Sequence, residues 1–116
     1  MRRSLPGVGL LIASLALGGC GPRKEQTLAE RGRQVYRSSC ISCHNPDPSR
    51  DGSVGPAIAG SPLELIRTRV LEAAYPPGYT PKRDSHLMPA QPHLAPHIEE
   101  LAAFLAEAAN PKAAQR

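Results

Sequence analysis

Two cysteines separated by two residues and followed at once by a histidine constrain this chain more than any other feature: Cys40-Ile41-Ser42-Cys43-His44. The C-x-x-C-H pattern is the attachment site of a c-type haem. Two thiols add across the two vinyl groups of the porphyrin, and a short turn between them matches the vinyl separation. The adjacent imidazole of His44 then lies under the iron as its proximal ligand. The cofactor this implies is one haem c, covalently held through Cys40 and Cys43. Other uses of such a pair fit less well. Structural zinc takes four ligands, usually as two spaced pairs, and no second Cys/His pair with that spacing stands in the chain. A thioredoxin-like redox pair needs a βαβ surround, which is missing. A plain disulfide across two residues leaves His44 without a purpose.

A covalently bound macrocycle also answers a packing problem. The 116 residues leave room for one domain and a short extra segment, with no Trp, one Phe and thirteen Pro. Small domains with so little bulky apolar material usually need a metal, disulfides or another staple. Three cysteines cannot form a disulfide framework, because one is always left over. The charge excludes another class of partner. Arg2 and Arg3 account for two of the fourteen basic residues, which leaves twelve against ten acidic ones beyond them. That balance is too mild and too scattered for a nucleic-acid footprint, and the aromatics Tyr36, Tyr75, Tyr79 and Phe104 are too few to stack on bases.

The odd cysteine belongs to the N-terminus. Met1-Arg2-Arg3-Ser4 is a positive segment, followed by an apolar run from Leu5 to Leu17. That run is short of the ~20 residues a membrane-spanning helix needs. It ends Leu17-Gly18-Gly19-Cys20, which resembles the bacterial lipobox, so residues 1–19 read as a lipoprotein signal peptide and Cys20 as the acylated first residue of the mature chain. An ordinary cleaved signal and an uncleaved one are the alternatives, and no A-x-A-like site precedes Cys20. More than one acyl chain makes such an anchor stable. Residues 20–27 read as a polar tether, 28–109 as the folded domain and 110–116 as a flexible tail.

Periodicity places three helices and no strands, so the class is all-α. Leu28, Gly32, Val35, Tyr36 and Ser39 share a face over 27–39, with Thr27 as N-cap and Gly32 marking close approach of another helix. Ser61-Pro62-Leu63-Glu64 predicts a serine-capped second helix with proline at its first position. Its stripe is Leu63, Ile66, Val70, Leu71 and Ala74, with Glu64, Arg67, Arg69 and Glu72 mostly outside, and it stops before Pro76. Pro96 opens a third helix to about Ala109, burying Ile98, Leu101, Ala102, Leu105 and Ala108, with Phe104 at the edge of that stripe, where it crosses Gly32 and Tyr36. Segments 45–60 and 76–94 lack regular structure. The second carries Pro76, Pro77, Pro81, Pro89 and Pro92, and a loop that long needs a task.

Iron ligation is such a task. Beyond the signal segment the remaining methionine is Met88, inside that loop and beside Pro89. A lone methionine more often fills a gap in a core. His86 is the nearest rival ligand, with His93 and His97 behind it, and surface histidines are their plainer reading.

Together these residues resemble a class I mono-haem c-type cytochrome with His/Met ligation. The resemblance covers about 31–109: Gly32 and Tyr36, the motif 40–44, Gly55-Pro56, Met88-Pro89 and a last helix with Phe104. Gly78-Tyr79 followed by Met88-Pro89 is similar to the cytochrome domains fused to some haem-copper oxidase subunits. It implies a cytochrome c fold, with the first and last helices crossed and the haem in a crevice between the middle helix and the methionine loop. It also implies that the Pro56 carbonyl accepts the other ring N–H of His44, although Gly55-Pro56 also reads as a plain turn. Tyr75, Tyr79, Arg67 and Lys82 are candidates for the haem propionates.

The function so implied is one-electron transfer by a carrier that is not an enzyme on its own, tethered to a bacterial membrane with its domain in the periplasm or on the outer face. Its partners are redox proteins, and no small-molecule substrate is expected. Arg67, Lys82 and Arg83 either steer an acidic partner or are solvated charges. A fixed haem subunit of a larger oxidase, reductase or dehydrogenase is the second possibility. A haem-based sensor of a small ligand is the third, and a thiol–disulfide oxidoreductase the last.

Overall fold

The computed structural model describes residues 18–115. The signal-peptide reading of residues 1–19 lies outside them, apart from Gly18 and Gly19. Three α-helices form within that range, α1 (Leu28–Ser39), α2 (Leu63–Glu72) and α3 (Ile98–Ala109), with a 3-10 segment Pro92–His97 leading into α3. Among the described residues there is no strand, and no helix is long and apolar enough to cross a membrane.

Thr27 caps α1 as expected, and more completely than its identity suggests. Its side chain accepts the Glu30 N–H while the Glu30 carboxylate accepts the Thr27 N–H at 2.7 Å, so two of the helix's unpaired donors are satisfied reciprocally. The α1–α3 contact is the most extensive between elements. Gly32 makes it possible, because a methyl group there would overlap the Glu100 carbonyl. At the same crossing Tyr36 and Phe104 lie 5.3 Å apart between ring centroids. Phe104 is therefore buried rather than at a stripe edge. Leu28, in the first turn of α1, is exposed, and Ala29 takes its place in the buried face.

The second helix departs most from its pattern. Pro62, not Ser61, holds the N-cap position, and no side chain caps the helix. The Ser61 hydroxyl is already committed, donating to the Ile58 carbonyl at 2.7 Å. Ala73 ends α2 in the left-handed region at φ 54°. Leu65 is buried and Leu63 exposed, so the helix is rotated from the expected stripe. The third helix starts two residues late. Pro96 lies inside the 3-10 segment, and regular α structure begins at Ile98.

The core gathers Tyr36, Ile66, Val70, Leu94, Ile98, Leu101, Phe104 and Leu105. Burying a side chain such as Ile98 or Leu101 contributes about 1.5–3 kcal/mol. This core is small, and one side of it is the wall of a cavity.

A candidate prosthetic-group cavity

The C-x-x-C-H motif forms one turn directly on the C-terminus of α1. The Cys40 N–H donates to the Tyr36 carbonyl at 2.9 Å, and the Cys40 carbonyl accepts the N–H groups of Cys43 and His44. The segment that follows folds back beneath it. The Cys43 carbonyl accepts the N–H groups of Val54 and Gly55 at 3.2 and 3.0 Å, which holds residues 52–56 under the His44 ring. Tyr36 braces the other side, its buried hydroxyl donating to the Asn45 carbonyl at 2.6 Å. Burial pushes the Tyr36 phenol up to about 12.

Cys40, Cys43 and His44 all face one cavity of about 380 Å³. Its far wall is apolar, built from Leu65, Ile66 and Val70 of α2 and Leu101 and Leu105 of α3. Met88 and Pro89 line it from the proline-rich loop, which Gln91 anchors by donating its N–H to the Val70 carbonyl at 2.6 Å. The loop that has no evident anchor in sequence is thus tied to α2 and forms part of the cavity wall.

Geometry at His44 sets its tautomer. Nδ1 lies 3.0 Å from the Pro56 carbonyl oxygen. A carbonyl only accepts, so Nδ1 donates in this bond, which leaves Nε2 as the ring nitrogen turned to other partners. Cys40 and Cys43 form no disulfide with each other, and burial pushes the Cys40 thiol up to about 11.

The rival ligands fall elsewhere. His86 and His93 are exposed, and His97 is held by Glu100, its Nδ1 at 2.8 Å from Oε2. None of the three lines the cavity. Tyr75, Tyr79 and Lys82 do line it, whereas Arg67 is exposed on α2 away from it. Arg69 lines it instead. Its guanidinium lies 4.3 Å from the Tyr75 ring centroid, and Tyr75 stacks on Tyr79 at 5.5 Å. Arg69 was missed because the apolar stripe of α2 suggested an outward face. Its place four residues after Leu65 and three after Ile66 was the available signal.

The residues present fit a haem: two thiols and an imidazole on one wall, a thioether in the loop, and an apolar floor. Residues 27–105, more than half of the chain, match the family described as cytochrome c oxidase, cbb3-type, subunit III. No curated protein and no solved structure matches the chain.

Proposed function

Because the chain belongs to the family described as cbb3-type cytochrome c oxidase subunit III, a family of c-type cytochrome domains, we propose that it is a mono-haem electron carrier tethered to a membrane through Cys20. Electron transfer by a haem c domain, between redox protein partners, is what family membership implies. The finer assignments rest on the residues. Cys40 and Cys43 hold the macrocycle, His44 Nε2 is the proximal ligand, and Met88 is the second axial ligand.

One observation carries this reading. His44 engages the Pro56 carbonyl through Nδ1, so Nε2 has no competing partner on that side of the ring, and the Met88 loop lines the same cavity. A haem bound there supplies a one-electron couple, which His/Met ligation places on the positive side. The chain's own residues would orient the imidazole through the Pro56 carbonyl and exclude water with the α2–α3 wall, and His44 and Met88 would hold the iron. Residues 20–27 are exposed and carry no regular secondary structure, which suits a tether between an exported lipid anchor and the domain. Residues 1–19 are the matching lipoprotein signal.

The test is an absorption spectrum, oxidised and reduced, of the exported protein and of Met88→Ala. The expected result is a c-type spectrum that survives denaturing electrophoresis as a haem stain, with the methionine-ligation band lost in the variant. Colourless, folded protein with free or paired thiols at Cys40 and Cys43 would overturn the reading. The family's description also favours a second arrangement, a fixed subunit of a larger oxidase. Co-purification after gentle detergent extraction would select it over a free shuttle.

A further inference from the structure

Two loops that both line the cavity are joined by polar side-chain contacts. One carries Pro56, the acceptor for His44, and the other carries Met88. The Lys82 ammonium donates to the Ala57 carbonyl at 2.8 Å, the peptide next to the Pro56 carbonyl. Its neighbour Arg83 pairs with Asp51, Nη2 to Oδ2 at 3.5 Å. Asp51 is itself pinned, because its Oδ1 accepts the Ala57 N–H at 2.8 Å and its carbonyl accepts from Asn45. Asp51, Ala57, Lys82 and Arg83 therefore form one polar cluster that spans the two loops. Lys82 and Arg83 are thus engaged within the molecule, and Arg67, the third cation of the set suggested for steering a partner, stands apart from them on α2.

We propose that Lys82 and Arg83, bearing on Ala57 and Asp51, are positioning residues that latch the Met88 loop shut, and so set how often that side of the cavity opens to an outside ligand. The inference rests on Met88 being an axial ligand. With Met88 holding the iron, an outside ligand would gain that side when the loop lifts, and lifting it would break both cross-loop contacts. Arg83 and Asp51 are exposed, so the latch is of modest strength and sensitive to salt. Its site of action also matters. Pulling on the Ala57 carbonyl bears on the peptide that positions the Pro56 acceptor, which links the two axial sides of the cavity.

The experiment uses the haem-loaded full chain and imidazole as the probe. In the doubly substituted Lys82→Gln, Arg83→Gln protein, the affinity of the oxidised form for imidazole should rise about three- to tenfold, the range two such contacts supply. Amide hydrogen exchange across residues 79–91 should quicken by a similar factor. In a Met88→Ala background the same two substitutions should change imidazole affinity by less than about twofold, because no Met88 bond remains to open. Arg67→Gln should leave the affinity unchanged. Parental imidazole affinity and exchange in the doubly substituted protein, alongside tighter binding by Met88→Ala, would overturn the latch and leave the ligation standing. Imidazole binding by Met88→Ala no tighter than by the parent would instead remove the ligation, and the latch with it.

Discussion

The His44 ring donates from Nδ1 to the carbonyl oxygen of Pro56 at 3.0 Å, and Gly55 lies directly beneath that ring. A carbonyl at this position makes the imidazole a stronger electron donor and holds its orientation. The arrangement depends on the backbone of residue 56 and on the missing side chain of residue 55. It does not depend on the proline ring.

Gly55→Ala should therefore disturb the site more than Pro56→Ala does. A Cβ at residue 55 would come within 2.9 Å of three His44 ring atoms. The ring must shift and its bond to Pro56 lengthen, making the imidazole a weaker donor. The midpoint potential of Gly55→Ala should rise and its haem-loaded yield fall. Pro56→Ala keeps the carbonyl and should stay near the parental potential, as redox titration will check.

Gly32→Ala should destabilise the fold although alanine favours helix by ~1 kcal/mol. The added methyl meets the Glu100 carbonyl and lies 3.0 Å from the Phe104 Cβ, so α1 and α3 must part. Overpacking of this kind costs about 1–3 kcal/mol, and denaturant titration should show a lower midpoint.

Tyr36→Phe removes the hydroxyl that donates to the Asn45 carbonyl and should cost about 1 kcal/mol. Thermal melting measures it. Because Tyr36 braces the turn after His44 from the side of α1, the methionine-ligation band should persist in this variant.

Glu100 should make stability depend on acid pH. The hydrogen bond from His97, and then that from Arg31, hold its carboxyl below the ordinary carboxylate value, against the opposing effect of burial. A group with a depressed folded-state pKa contributes stability above its unfolded value, and loses it as pH falls through the folded one. Glu100→Gln should therefore be less stable than the parent at neutral pH. The difference should shrink as pH drops below about 4.5. Chemical denaturation across that range tests the sign.

Much of the site was legible because it lies in short-range spacing. The motif 40–44 fits one turn, and the chemistry proposed for it follows from that separation. Met88 stood out as a lone thioether in a loop with no other reason to be ordered, and the Pro56 acceptor followed from family resemblance. Arg69 and the Lys82–Ala57 contact were not legible, since each depends on which way a loop or helix faces. The serine cap of α2 failed for a related reason. Ser61 has the right identity, but the Ile58 carbonyl reaches its hydroxyl first.

Local spacing and periodicity by themselves determined the all-α class, the number and approximate positions of the helices, and the turn that presents Cys40, Cys43 and His44. Only the tertiary structure decided the rotation of α2, the burial of Phe104 against Tyr36, and the bridging of the two loops by Lys82 and Arg83. A helix's apolar face is specified by sequence only to within its width. What it turns toward depends on the space left by elements distant in the chain, here a cavity whose walls come from all three helices and both loops.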